Sequence, residues 1–409
     1  MQQWILKVIS ICLLTGMSNV ALAAKEQTVV LVSIDGLRWD YIEKHGAPNL
    51  KAMADRGVRA QKLIPVYPTK TFPNHISIIT GLLPVNHGIV DNNFCDKARK
   101  NECYSMGKAL GDSTWVKGIP LWNLAKMQGL KSATYFWPES DALFNGMTPD
   151  YFYHYSKYSD YQSRVDQIIQ WLSLPKAQRP RFIASYFSLV DSMGHEFGPD
   201  APQTRDAVKQ LDELMGQLQT RLRKLEQDVN LVIVSDHGMT SVNPDKSIDV
   251  TTLPQDENFL VKNTGPRLLI YTQPNAKNAD IAGYKARLEK AAKGRYTVLT
   301  DEQLAGYHYN KGTRVGDIVV QTTAPAVFTN TKKPMYLGTH GYAYAYTDDM
   351  AATFIASGPA FKEGISLDKV SNLDIYPVLA KVMGLKLLSK VDGDGKTLMP
   401  AIKQKMVVH

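Results

Sequence analysis

Cysteine is scarce in this chain: three in 409 residues, at positions 12, 95 and 103. That number excludes a disulfide-dense scaffold and leaves too few thiols for a cysteine-based metal centre. Repeats, low-complexity tracts and an evident interdomain linker are also missing, which sets aside solenoids and tail-like interaction segments. Apolar runs of the ~20 residues needed to cross a bilayer are lacking as well. The longest, around Val8 to Leu14 in "MQQWILKVISICLLTGMSNVALA", is short and runs into Ala21-Leu22-Ala23. It reads as a secretory signal with cleavage after Ala23, which assigns residues 1–23 to the signal and 24–409 to one catalytic domain. Cleavage removes Cys12 and, among charges, only Lys7, so the formal net charge of +8 becomes +7. Export to an oxidising compartment, periplasmic or extracellular, makes a local Cys95–Cys103 disulfide the expected state of the remaining pair. The basic residues are scattered, so a solvated surface explains them better than a nucleic-acid interface, and no duplex recognition is expected.

What is present is a globular composition, 44% hydrophobic and 21% charged. Five segments read as buried strands: "TVVLVSIDG" (28–36), "KSATYFW" (131–137), "RFIASYFSLVD" (181–191), "NLVIVSDHG" (230–238) and "AATFIASGP" (351–359). Helical patterns lie between and after them, at 204–227, 281–293 and 373–384. Apolar strands alternating with helices predict an α/β fold with a parallel sheet covered on both faces. Residues 241–339 are richer in turn formers and read as a smaller inserted subdomain.

Asp35, Asp191 and Asp236 fall at the ends of three of these strands, where open α/β sheets bind ligands. A single aspartate there is usually a cap or turn former. Three together, two with histidine nearby, suggest metal chemistry. "DSMGH" sets His195 four residues after Asp191, "SDHGM" sets His237 beside Asp236, and "GTHGY" places His340 between close-approach positions. Carboxylate oxygen and neutral imidazole suit zinc or a similar divalent ion. Three Asp and three His suffice for two ions ~4 Å apart, the clamp used in phosphoryl transfer. Three carboxylates against two divalent ions leave a site near +1, which balances a phosphodiester better than a monoester dianion. The remaining histidines, at positions 45, 75, 87, 154, 308 and 409, have no comparable setting. In "PVYPTKTFPNHISIITG" (65–81), Thr71 fits a helix N-cap with proline in the first turn, and the positive helix end also favours phosphate. Spacing alone does not choose between Thr69 and Thr71 as a metal-activated nucleophile.

The motifs "YPTKTFPNH", "TGLLPVNHGIVDNN", "YFWPES", "YFSLVDSMGH", "SDHGM" and "THGY", with "NLDIYPVLAKVMGL" (372–385), resemble the nucleotide pyrophosphatase/phosphodiesterases of the alkaline phosphatase superfamily. The resemblance spans about residues 28–359 and implies an alkaline phosphatase-like fold: a largely parallel central sheet, helices on both faces and a smaller inserted subdomain. It implies Thr71 as nucleophile, with Asp35, Asp236 and His237 holding the zinc beside it. Asp191, His195 and His340 would hold a second zinc near the leaving group. Asn92 would hydrogen-bond a non-bridging phosphate oxygen, and Phe72 and Tyr186 would flank a nucleobase or other flat group. The implied reaction is cleavage of nucleotide diesters or pyrophosphates by two displacements through a phosphothreonine ester, releasing nucleoside 5′-monophosphates. "THGYAYAYTDDM" departs from the family's usual "HGYDN" continuation, which alters what borders the leaving group. Somatomedin-like and nuclease-like regions do not occur, as in compact bacterial relatives. The competing readings are a phospholipase C-type enzyme of the same family acting on choline lysophospholipids, a monoesterase, and an inactive metal-binding module.

Overall fold

The computed structural model describes residues 27–310, 312–330 and 336–403; the expected signal segment lies outside them. Eight strands form the central sheet: β1 (Thr28–Ile34), β2 (Val58–Ile64), β3 (Ser132–Tyr135), β4 (Tyr151–Tyr153), β5 (Phe182–Phe187), β6 (Val229–Val234), β7 (Ala352–Ser357) and β8 (Ile365–Ser371). Their order is β8-β2-β7-β6-β1-β5-β3-β4. All adjacent pairs are parallel except those of β7, which runs antiparallel to both β2 and β6. The segment 351–359 is therefore a strand as expected but reversed in direction, since an apolar run alone carries no information about polarity.

Successive side chains of a strand face opposite ways, and here each face meets its own core. In β1, Val29 and Leu31 join one hydrophobic cluster while Val30, Val32 and Ile34 join the other. The first cluster takes Ile76 and Ile79 of helix α1 (Thr71–Thr80) together with Leu121, Leu124 and Leu379. The second takes Val208, Leu211, Met215 and Leu218 from the long helix α3 (Pro202–Leu222), with Leu50, Ile168 and Trp171. Helices thus cover both faces, and β1 is buried along its whole length because neither side sees water. The other expected helices occur at Ile281–Ala292 and Ile375–Val382.

Between β6 and β7 lies a four-stranded antiparallel sheet, of which Phe259–Asn263, Arg267–Thr272 and Ile318–Gln321 are the longer strands. It has a core of its own, including Leu268, Ile270, Tyr284 and Phe328. Cys95 and Cys103 face each other across a short hairpin and are joined by a disulfide. Among the described residues no helix is long and apolar enough to cross a membrane.

Candidate metal and phosphate site

Strands β6, β1 and β5 are neighbours, and parallel neighbours lie ~4.8 Å apart. The register pairs Ser33 with both Val234 and Tyr186, so the chain leaves all three strands at one level. Asp35 follows β1 directly, and Asp236 and His237 follow β6. Asp191 differs from expectation: β5 ends at Phe187, and Asp191 lies in the first turn of helix α2 (Leu189–Phe197), with His195 one turn further on. The helix can come this close because residue 36 is glycine at φ +69°; a Cβ there would stand 3.0 Å from Asp191 Cα. The Asp191 N–H is bonded to the Asp35 carbonyl at 3.1 Å.

The six anticipated ligand side chains come together. Asp35, Asp236 and His237 each offer one ligand atom within 4.8 Å of the others, and so do Asp191, His237 and His340. His195 Nε2 lies 3.5 Å from Asp191 Oδ1. Each histidine turns its Nδ1–H to a backbone carbonyl: His237 to Gly238 at 2.9 Å, His195 to Gly338 at 2.8 Å and His340 to Thr69 at 2.8 Å. With Nδ1 donating, every Nε2 carries its lone pair toward the cluster. Asp35 Oδ1, Asp191 Oδ1 and Asp236 Oδ2 are buried without a hydrogen-bond donor. Buried polar atoms are normally paired, so three orphaned carboxylate oxygens facing imidazole lone pairs form a donor set that fits divalent cations. The electrostatics agree. Burial raises Asp35 well above the carboxylate range, and the charges of Asp191 and Asp236 add to it. Burial likewise drives His340 well below the usual imidazole range. Burial would raise Asp236 too, but His237 and His75 outweigh it and hold it low, while Asp236 raises His237 against the pull of burial. These carboxylates therefore call for a cation, whether a proton on His237 or a metal ion.

The two threonines separate cleanly. Thr69 is fully buried; its hydroxyl donates to the Tyr342 carbonyl at 2.8 Å and accepts from the Gly341 N–H at 2.9 Å. Thr71 is not the N-cap its sequence context suggested. The helix begins one residue earlier, with Lys70 at the cap position, and the Thr71 hydroxyl caps nothing. It lies instead 3.2 Å from His237 Nε2, beside the helix N-terminus.

Asn92 Oδ1 accepts the Phe72 N–H at 2.9 Å. That bond orients the amide and leaves the Nδ2 donors for the cavity, which Thr71, Phe72 and Asn92 all line. Tyr186 lines it too, but its hydroxyl donates to Asp35 Oδ2 at 2.5 Å and its ring meets His75 edge-on at 5.2 Å. The cavity holds about 580 Å³, and its open aromatic rings are Tyr153 and Tyr155, 43% and 57% exposed. Neither was anticipated, although "YFYHY" (151–155) is an unusual concentration of rings. His75, given no role from the sequence, is fully buried behind the cluster. It joins Ser33 at 2.8 Å and the Thr71 carbonyl at 2.8 Å, and lies 3.3 Å from Asp236 Oδ2. Its signal was its place one helical turn after Thr71.

Residues 29–343 match the family model described as Type I phosphodiesterase / nucleotide pyrophosphatase. The chain is 32% identical over 372 residues to a venom phosphodiesterase of Naja atra, covering 88% of this chain and 45% of that protein. It is 32% identical over 369 residues to ectonucleotide pyrophosphatase/phosphodiesterase family member 3 of Rattus norvegicus, covering 88% of this chain and 42% of that protein. It therefore spans somewhat less than half the length of these relatives. Human ectonucleotide pyrophosphatase/phosphodiesterase 5 superposes with a TM-score of 0.85 at 28% identity, covering 92% of this chain and 100% of that one. The murine counterpart, solved as an inactive threonine-to-alanine variant in complex with AMP, gives a TM-score of 0.84 at 28% identity, with the same coverage of both chains.

Proposed function

This chain belongs to the type I phosphodiesterase / nucleotide pyrophosphatase family, and on that premise we propose that it hydrolyses phosphodiester or pyrophosphate bonds of nucleotides and their derivatives, releasing nucleoside 5′-monophosphates. The observation that carries the reading is the setting of Thr71: a hydroxyl engaged in no cap, 3.2 Å from His237 Nε2, at the edge of the convergent Asp and His atoms. The solved AMP complex of the murine relative supports a nucleotide over a choline lysophospholipid.

Asp35, Asp236 and His237 would hold one zinc ion and Asp191, His195 and His340 a second. Bound there, zinc would neutralise phosphate charge and favour the alkoxide form of a nearby hydroxyl. The Thr71 oxygen attacks phosphorus, the bond to the leaving oxygen breaks, and the nucleotide is held as a phosphothreonine ester. The start of α1 favours negative charge at this position. Asn92 Nδ2 donates to a non-bridging oxygen, held in place by the Phe72 N–H on Oδ1. Phe72 offers a face to the group beyond the phosphate. Tyr186 fixes Asp35 through its hydroxyl. Water then cleaves the ester, freeing the monophosphate and restoring Thr71. We place this activity in residues 24–409 acting as one exported catalytic domain.

The test is a substrate panel on zinc-loaded protein: a nucleotide 5′-p-nitrophenyl ester, bis(p-nitrophenyl) phosphate, p-nitrophenyl phosphate and lysophosphatidylcholine, each also with Thr71→Ala. Nucleotide diester turnover that falls by about a thousandfold or more in Thr71→Ala, with metal content retained, supports the reading. Preference for the monoester, or full activity of Thr71→Ala, overturns it.

A further inference from the structure

Side chains of a helix lean toward its N-terminus, so the residue one turn after Thr71 hangs its ring back toward Thr71 itself. That residue is His75. Its Nδ1 lies 2.8 Å from the Thr71 carbonyl oxygen and 3.3 Å from Asp236 Oδ2, and its Nε2 lies 2.8 Å from Ser33 Oγ. A carbonyl only accepts, so Nδ1 carries the proton and Nε2 accepts from the Ser33 hydroxyl. Ser33 is the polar residue in the run Val29–Ile34 of β1 and is fully buried, so its hydroxyl serves the ring and fixes the tautomer. Trp137 at 5.0 Å and Tyr186 at 5.2 Å meet the imidazole edge-on, and Tyr186 is itself the donor to Asp35. The ring has one orientation open to it.

Serine, histidine and aspartate in line are also the elements of a nucleophilic triad. Here Ser33 and His75 are both 0% exposed and neither lines the cavity, so no substrate meets that hydroxyl. What the ring does instead is stand between two parts of the site. Asp236 Oδ1 takes the Gly36 N–H at 3.3 Å, whereas Oδ2, the oxygen beside His75 Nδ1, has no hydrogen-bond donor. The Nδ1–H therefore bonds the peptide that carries Thr71 and turns its positive end toward the carboxylate oxygen left for a cation. Building on the function proposed above, we infer that His75 is a positioning residue for phosphoryl transfer: its Nδ1–H fixes Thr71 relative to Asp236, and Ser33 holds it in the tautomer that does so. It touches neither substrate nor phosphorus. Its effect is on geometry, and a nucleophile displaced by about 1 Å loses on the order of a hundredfold in rate.

Side-chain amides separate this role from packing. The amide nitrogen of asparagine falls near Nδ1, and that of glutamine near Nε2. Zinc-loaded wild type, His75→Asn, His75→Gln and His75→Phe are compared on a nucleotide 5′-p-nitrophenyl ester, with zinc content measured in parallel. We expect kcat to fall by about a hundredfold in His75→Phe and His75→Gln, with KM within about threefold of the wild type. In His75→Asn, kcat should recover at least about tenfold over the other two variants. A packing role gives the opposite order, because glutamine is closer to histidine in volume than asparagine is. A His75→Gln enzyme as active as His75→Asn overturns the inference, as does a loss of kcat that follows zinc content. The Asn and Gln comparison stands even where His75→Phe does not fold. Independently of turnover, nitrogen-15 spectra of histidine-labelled wild type minus His75→Asn should show a ring protonated at Nδ1 and bare at Nε2. A ring protonated at Nε2 overturns the inference. Absence of diester turnover in the wild type would sink the proposed function, while the tautomer would still decide whether His75 braces Thr71.

Discussion

His195 Nε2 and His340 Nε2 lie 3.1 Å apart, and each ring already donates its Nδ1–H to a backbone carbonyl. Two imidazole lone pairs facing each other at that distance repel unless a cation lies between or beside them. Asp191 Oδ1, itself without a donor, is 3.5 Å from one and 3.7 Å from the other. The expected outcome is about two zinc ions per chain by elemental analysis, the number that a two-metal phosphoryl-transfer site requires. A strong chelator should abolish diester turnover, and added zinc should restore it. In His340→Ala the metal content should fall toward about one per chain. Full metal loading in that variant would remove His340 from the ligand set.

Asn92 does two things with one amide, and the two can be separated. Its Oδ1 is committed to the Phe72 N–H at 2.9 Å, so only Nδ2 is free to meet phosphate. Asn92→Asp keeps the acceptor and replaces the donor with a negative oxygen aimed at an anion. Asn92→Ala removes both. We expect kcat/KM on a nucleotide diester to fall by about 10²–10³ in Asn92→Ala, as for loss of one oxyanion donor, and further in Asn92→Asp. An Asn92→Asp enzyme as active as the wild type would show that Nδ2 makes no phosphate contact.

Much of this arrangement was written in local sequence. Asp35 and Asp236 directly follow apolar strands, and that pattern alone places them at the carboxyl edge of a sheet. The Asp191–His195 spacing was also readable, although Asp191 proved to start a helix rather than end a strand, because the apolar run 182–187 continues into "LVD" without a break in character. The choice between Thr69 and Thr71 was not local. It rests on Gly341 and Tyr342, more than 270 residues away, occupying the Thr69 hydroxyl. Tyr155 was missed for the same reason. An exposed tyrosine acquires meaning only from the cavity that distant segments close around it.

The ion pair of Arg267 with Asp91 was equally invisible in sequence. Both side chains are fully buried, one in the inserted sheet and the other beside Asn92. Arg267 also donates to the Gly341 carbonyl at 2.6 Å, next to His340, while Asp91 Oδ1 accepts the Asn92 N–H at 2.7 Å. The pair therefore ties the proposed phosphate donor to a proposed metal ligand through the subdomain. Arg267→Met would leave a carboxylate buried without its counter-charge. The expected cost is about 3–5 kcal/mol by urea unfolding, larger than the effect of a comparable surface substitution. A loss below about 1 kcal/mol would mean that the Asp91 carboxylate is neutralised or hydrated once Arg267 is gone, so that no uncompensated charge stays buried.

Glu139 makes a pH prediction away from the metal cluster. Burial pushes its carboxyl up to about 7, against the pull of the Tyr104 hydroxyl and the Ala109 N–H on Oε1, and the Asp141 charge adds to the rise. The folded value exceeds the unfolded one, so the protonated carboxyl is favoured in the native state. Its contribution is fully present below the ordinary glutamate value of 4.5 and is lost as pH rises through about 7. A shift of this size corresponds to a few kcal/mol, roughly 3, at the conversion of 1.36 kcal/mol per unit. Glu139→Gln cannot ionise, so the stability difference between wild type and variant should move in favour of the variant between pH 5 and pH 8. Urea unfolding of both proteins across that range gives the comparison directly. A difference that stays flat would place the Glu139 titration below that window and show that the pocket wall is better solvated than its burial indicates.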